Sequence, residues 1–219
     1  QTPAYAILSG LVGSEMCIRD SYRDQDFDLA GFIVGVVERD RIINGQRITP
    51  GDKLIGLPSS GLHTNGFSLA RQIVFDTLEL TVASSVLELG RTIGEVLLEP
   101  HRSYLKSLRP FFGRDVIKGL AHITGGGLTD NLPRILPDGT SAIVRRDAWT
   151  IPDIFRFLQE AGKVSESEMY RTFNMGIGMV VVCDEHSSEE VIAALHDDGE
   201  TEAKIIGSIE AGNKKVVYR

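Results

Sequence analysis

The sequence predicts a mixed α/β fold: a β-sheet of mixed strand direction with helices packed on it. Three observations point there. Short β-branched, apolar runs alternate with stretches of helical period through most of the chain. Turns rich in Gly, Pro and Asn separate them. Pieces of antiparallel character stand at both ends, which argues against an all-parallel sheet. The 219 residues, 42% hydrophobic and 24% charged with 23 Gly and 8 Pro, are those of an ordinary globular protein. That length supports a sizeable core.

The elements follow in order. Residues 1–20 show no clear period, and an apolar run at 32–37 reads as the first strand. Turn signals at Asn44-Gly45 and Pro50-Gly51-Asp52 precede a second strand at 53–57, which Pro58 ends. A Ser/Gly-rich loop at 59–66 leads to a helix at 67–77. Residues 92–98 and 102–112 read as helices separated by Pro100. The apolar segment 116–123 runs into Thr124-Gly125-Gly126-Gly127 and a helix at 128–136, irregular at Pro133. A strand at 142–144 precedes a helix with Pro152 in its first turn, ending near Gly162. A short helix at 166–170 and a buried strand at 179–182 come next. Ser187 and Glu190 have capping-box spacing for a helix through Leu195. Finally 205–209 and 215–218 flank Gly212-Asn213, a hairpin signal. No internal repeat or low-complexity segment is present.

Charge and composition exclude several functions. Lys and Arg number 23 against 30 Asp and Glu, a net of −7, which argues against a general nucleic-acid binder. The longest apolar run, 175–183, is far short of the ~20 residues that span a bilayer. No basic-then-apolar leader is seen, so no membrane partner and a cytoplasmic location are expected. Cys17 and Cys183 are too few and too far apart for a disulfide scaffold or a cysteine zinc site, and the five histidines form no His-x-x-x-His pair. No metal site is expected in this chain.

Two places share one design. A strand feeds Ser59-Ser60-Gly61-Leu62-His63-Thr64-Asn65-Gly66 and then a helix; an apolar segment feeds Thr124-Gly125-Gly126-Gly127 and then a helix. Free N–H groups at a helix start favour an anion, and glycine lets a ligand approach the backbone. Glycine-rich strand-to-helix turns are also common for geometric reasons alone, and neither loop matches the Gly-x-x-x-x-Gly-Lys-Ser/Thr or Gly-x-Gly-x-x-Gly fingerprints. His63 could move a proton and Asn65 orient a carbonyl or amine; both could equally serve loop hydrogen bonds and capping. In a third segment, Met169-Tyr170-Arg171-Thr172-Phe173-Asn174-Met175-Gly176, Arg171 could meet a phosphate or carboxylate, while Asn174 and Gly176 suit a tight turn. His122 reads as a hydrogen-bonded core or loop-anchor residue; His101, His186 and His196 read as surface, and Cys183 as an inert core thiol.

Six ordered strings carry a resemblance. They are Asp28-Leu29-Ala30-Gly31-Phe32, Gly51-Asp52-Lys53-Leu54-Ile55-Gly56-Leu57, the 59–69 loop and helix start, Leu98-Glu99-Pro100-His101-Arg102-x-Tyr104, His122-Ile123-Thr124-Gly125-Gly126-Gly127, and the 169–176 segment. From about Tyr22 onward the chain resembles the phosphoribosylformylglycinamidine cyclo-ligase (aminoimidazole ribonucleotide synthetase) family, in its C-terminal domain. The resemblance implies an ATP-dependent ligase of purine biosynthesis. ATP phosphorylates the formamide oxygen of formylglycinamidine ribonucleotide, and a substrate nitrogen closes the imidazole ring.

By the same resemblance His63 takes a proton-transfer or orienting role. Ser60, Gly61, Asn65, Gly125, Gly126, Gly127, Arg171 and Asn174 would hold substrate or phosphate. ATP and magnesium would be held mainly by an N-terminal domain that this chain lacks, and the parent protein is expected to be a homodimer. Residues 1–21 do not match the family; 11–21 look like translated adapter sequence, which leaves 22–219 as the domain. The chain alone is expected to be inactive. Alternatives within the fold are formylglycinamidine synthetase, selenophosphate synthetase and thiamine-monophosphate kinase, and outside catalysis a phosphate-binding module.

Overall fold

The structure is a computed structural model that describes residues 34–219, of which Arg39–Arg219 form one compact unit. Among the described residues eight strands form: β1 (Lys53–Pro58), β2 (Ser85–Val86), β3 (Arg91–Thr92), β4 (Ile117–His122), β5 (Thr140–Val144), β6 (Ile177–Cys183), β7 (Lys204–Ala211) and β8 (Val216–Tyr218). Seven α-helices accompany them: α1 (Phe67–Arg71), α2 (Ile93–Leu97), α3 (Leu105–Leu108), α4 (Gly127–Asn131), α5 (Asp153–Gly162), α6 (Glu166–Thr172) and α7 (Ser188–Asp197). Six strands make one sheet in the order β4-β6-β1-β7-β5-β8, and β2 pairs with β3 apart from it. The expected mixed sheet with packed helices is therefore present.

The positioning fact for function is strand direction. β6 runs antiparallel to both β1 and β4, so those two point the same way, with the start of β6 between their ends. Period-2 alternation sends Leu54, Val180, Val182 and Ala121 to one face, where Leu128, Phe155, Leu158 and Met169 of the helices cover them. It sends Ile55, Leu57, Val181 and Cys183 to the other, against Leu108, Phe111, Val191 and Leu195. Side chains of this size contribute ~1.5–3 kcal/mol each when withdrawn from water, which anchors the strand ends that carry the loops.

Most expected elements form, with informative differences. The 67–77 helix is α1 continued by a π-helical turn, Gln72–Thr77. Helix 92–98 forms as α2, with Thr92 at its N-cap and Thr92 and Glu95 closing a capping box. The 102–112 helix starts only at Leu105 and tightens to a 3-10 turn at Arg109–Phe111, because Pro110 removes a backbone donor there. The capping box at Ser187 and Glu190 does not form. Asp184 receives the His186 N–H instead, and a 3-10 turn, Glu185–Ser187, leads into α7. Of the strand expected at 32–37, Phe32 and Ile33 lie outside the described residues, and Val34 to Val37 form no strand.

The C-terminal hairpin is a correction. β7 pairs antiparallel with β5, and β8 pairs parallel with β5 on its other side, so Gly212-Asn213 crosses the start of β5 instead of folding back. Ser141 causes this: its Oγ accepts from Asn213 N–H (2.9 Å), and Gly212 packs where any Cβ would lie 2.0 Å from that oxygen. A two-residue turn signal specifies a reversal, not which strand lies beside it.

Candidate functional site at the shared end of β1 and β4

Because β1 and β4 point the same way, the loops that follow them emerge at one end of the sheet. The segment entering β6 arrives at that end too. The three stretches singled out in sequence thus converge, and side-chain amides tie them together. Asn65 Oδ1 accepts from Gly125 N–H (2.9 Å) and its Nδ2 donates to the His63 carbonyl (2.7 Å), linking the two glycine loops. Asn174, fully buried, accepts at Oδ1 from the Ser59 hydroxyl (2.9 Å) and Gly176 N–H (2.8 Å), and donates to the Gly61 carbonyl (2.8 Å). These bonds hold the first loop against the β6 entry.

Glycine is required here by close approach. A Cβ on Gly127, where φ is +57°, would lie 2.1 Å from the Tyr170 carbonyl oxygen, so the loop seats directly on the end of α6. Strain gathers at the same place. Of six non-glycine residues with positive φ among those described, His63 (53°), Thr64 (60°) and Met175 (52°) stand at this sheet end. Arg171 lies farther out, exposed, with Nε 3.8 Å from Asp130 Oδ2. Ser60 and Gly125 are exposed, and Gly61 and His63 are buried beneath them.

His63 is 1% exposed, and its surroundings define its tautomer. Ser60 N–H donates to Nε2 (2.9 Å), so in the neutral ring the proton sits on Nδ1, which has no partner among the described residues. Burial, followed by the charges of His101, His122 and Arg102, pushes its pKa down to about 4. The Ser60 hydroxyl sits 3.0 Å from the same Nε2 and 2.7 Å from the Pro100 carbonyl oxygen. Neutral at physiological pH, His63 holds Ser60 in place by accepting from it.

Six further residues complete the site, and sequence reasoning assigned none of them to it. His101 stacks on His63, ring centroids 4.0 Å apart, and its Nε2 is 2.9 Å from Nε2 of His122. Tyr104 donates to the Pro58 carbonyl (2.7 Å), with its hydroxyl over Gly178, where a Cβ would lie 2.0 Å away. Arg102 meets buried Glu200 (2.6 Å), which also accepts from the Ser107 hydroxyl (2.7 Å). His122, read as a core or anchor residue, is instead the exposed last residue of β4. Its place on the β4 alternation, two after Leu120, was the one available signal. Nothing in the string around Pro100 announces that His101 would bridge two histidines far away in sequence.

A family model described as "AIR synthase related protein, C-terminal domain" matches residues 49–219. The chain belongs to that family. Among curated relatives it is 50% identical, over 94% of its length, to the phosphoribosylformylglycinamidine cyclo-ligase of Geobacter metallireducens. To that of Citrifermentans bemidjiense it is 48% identical over 91% of its length. It spans only 60% and 57% of those two proteins. The resemblance carried by the six strings is thus confirmed at family level. Among solved structures, thiamine-monophosphate kinase from Stenotrophomonas maltophilia K279a shares the fold (TM-score 0.54, 18% identity, 83% of this chain and 54% of that one). So does the hydrogenase maturation protein HypE (TM-score 0.52, 19% identity, 80% and 51%).

This AIR synthase C-terminal domain has no cluster of three or more His, Cys, Asp or Glu able to hold a metal among its described residues. No helix among them is long and apolar enough to cross a membrane. A cleft of about 400 Å³ lies elsewhere, on the sheet face lined by Lys53, Ile143, Arg145, Gly207 and Arg219. Arg219 is paired with Glu210 and Lys53 with Glu185, so two of its cations are already engaged.

Proposed function

We propose that this chain is the C-terminal part of a phosphoribosylformylglycinamidine cyclo-ligase acting in purine biosynthesis. The observation that carries this reading is the convergence of both glycine loops and the 169–176 segment on one sheet end, in a chain of that family. The reaction is ATP-dependent ring closure of formylglycinamidine ribonucleotide to aminoimidazole ribonucleotide. ATP and magnesium are held mainly by residues outside this chain, the parent protein is a homodimer, and it works in the cytoplasm. Residues 22–219 constitute the domain, and 1–21 lie outside it.

The chemistry asks for positioning and for neutralising phosphate charge. Exposed Ser60 and Gly125 stand at the open face of the loops, where a phosphate-bearing ligand would meet them. Gly61, Gly126 and Gly127 give the close approach, Asn65 and Asn174 hold the walls in register, and Arg171 supplies charge at the rim. His63 is the orienting residue that seats Ser60.

The test joins residues 22–219 to the N-terminal part of the Geobacter metallireducens relative, then measures ADP release and imidazole product. The expected outcome is ADP release that depends on formylglycinamidine ribonucleotide and falls at least ~100-fold in His63→Ala. A folded, ATP-binding fusion that shows no such dependence overturns the reading. Near-normal turnover in His63→Ala removes His63 from the machinery. The 219-residue chain alone should release no ADP.

A further inference from the structure

The hydrogen bonds of the two exposed histidines leave one consistent arrangement of protons. His101 Nδ1 lies 2.7 Å from the Arg102 carbonyl oxygen, which can only accept, so Nδ1 carries the hydrogen. In the neutral ring His101 Nε2 is then an acceptor. His122 Nε2, 2.9 Å away, must be the donor. That leaves Nδ1 of His122 bare, on an exposed residue, with no hydrogen-bond partner among the described residues.

We propose that His122 is a general base of this site, held in its Nε2–H tautomer by His101, which acts as its positioning residue. The arrangement follows the logic of a base oriented by a third group: Arg102 carbonyl to His101, His101 to His122, His122 outward. Taking up a proton at His122 Nδ1 needs no rearrangement, because the Nε2–H already points at an acceptor and the bond becomes charge-assisted. His101 is itself clamped by stacking on buried His63. The charged and titratable groups facing the pair are His63 from the glycine loop, and Arg102 and Tyr104 from the segment before α3. Glu200 faces it through Arg102. Partial withdrawal of the His122 ring from water where it packs on His101, and then the charge of His101, lower its pKa, which favours the unprotonated form able to accept.

The role of the proton rests on the cyclo-ligase reading. As the attacking nitrogen forms its bond to carbon and the phosphorylated oxygen departs as phosphate, one N–H bond breaks. That proton passes to His122 Nδ1. The pairing itself does not depend on that reading, and the tests separate the two.

Imidazole nitrogen NMR of the 219-residue chain should show His122 protonated at Nε2 and bare at Nδ1. In His101→Phe, which keeps a ring on His63 but offers no acceptor, His122 should revert to a mixture of tautomers; in His101→Gln, whose amide oxygen can accept, the Nε2–H form should return. A wild-type His122 protonated at Nδ1, or a tautomer unchanged in His101→Phe, overturns the pairing. In the fused enzyme His122→Ala should lower kcat ~100-fold or more and abolish the acid limb of its pH profile. His101→Phe should lower kcat ~10-fold with KM little changed, and His101→Gln should restore most of it. A normal kcat and acid limb in His122→Ala overturns the base assignment. Absence of product from the unmutated fusion overturns the cyclo-ligase reading, while the NMR tautomers still decide the pairing.

Discussion

Two ends of the same sheet use one local device to different effect. At the start of β5, Ser141 Oγ accepts from Asn213 and Lys215 N–H (2.9 and 3.4 Å), and Gly212 packs flat above it. At the shared end of β1 and β4, Asn174 and Asn65 feed backbone groups in the same way, and Gly127 packs flat against α6. The device at β5 closes the fold, with Ser141 buried and its oxygen accepting from the crossover. The other end keeps chemistry in reserve: a buried His63 Nδ1 without a partner, an exposed histidine pair, and strained backbone at His63, Thr64 and Met175. Glycine and short polar side chains alone therefore do not mark a site. The unspent nitrogens beside them do.

The largest effect should separate the two ends by what a methyl group would strike. Gly127→Ala drives a Cβ into two backbone carbonyls, of Tyr170 and Phe173, at a positive φ, and neither carbonyl can turn aside without disrupting α6. A loss of roughly 3–4 kcal/mol is expected in urea unfolding. Gly212→Ala strikes the Ser141 side chain instead, which can rotate at the expense of its hydrogen bonds, so roughly 1–2 kcal/mol is expected. Equal losses would show that the site end is no more tightly determined than the start of β5.

The second prediction uses pH. His63 titrates near 4 in the fold, against 6.5 unfolded, so the unfolded chain binds more protons between those values. Stability attributable to His63 is thus complete above about pH 6.5 and is lost as pH falls toward 4. The loss is roughly 2–3 kcal/mol at most. In His63→Gln that slope should flatten, whereas Ser141→Ala should leave it intact. An unchanged slope in His63→Gln, measured by urea midpoints from pH 7.5 to 4, would mean His63 is not held neutral by its burial.

How much of this was legible in the sequence follows from the range of the interactions. The two glycine loops sit where strand-to-helix signals put them, because strand end, glycines and helix start are neighbours in the chain. Gly212-Asn213 misled because its outcome depends on Ser141, some seventy residues earlier in the chain. The site divides along the same line. His63, Asn65 and Gly125 stand inside recognisable strings, so their convergence could be expected from the family resemblance. His101 meets His122 only because β4 lies next to β6 and the segment before α3 crosses the strand ends; no spacing rule encodes a contact of that range. Glu200 is equally silent in sequence, an acid in a turn whose burial becomes visible only with Arg102 and Ser107 beside it.

Amide truncation gives a smaller and finer contrast. Asn174→Ala leaves the buried Gly176 N–H and Gly61 carbonyl without their partner, so roughly 2–3 kcal/mol should be lost, against roughly 1–2 for Ser141→Ala.

The smallest expected effect is the most diagnostic of function. Asn65→Ala removes the bridge between the loops, but Gly125 is exposed and water can replace the lost acceptor, so stability should fall by only about 1 kcal/mol. What should change is the relation of the two loops, since no other side chain among the described residues bonds to Gly125 N–H. Amide exchange at Gly125 should then rise well above its rate in the unmutated chain, while that of Gly212, whose N–H donates to the Gly139 carbonyl at the start of β5, should stay unchanged as the control. In the fused enzyme the same substitution should raise KM for the ribonucleotide more than it lowers kcat, because it loosens a binding wall and leaves the histidine pair intact. If kcat falls and KM holds, Asn65 acts on the reacting atoms, and the division between a binding wall and a proton-transfer pair would have to be redrawn.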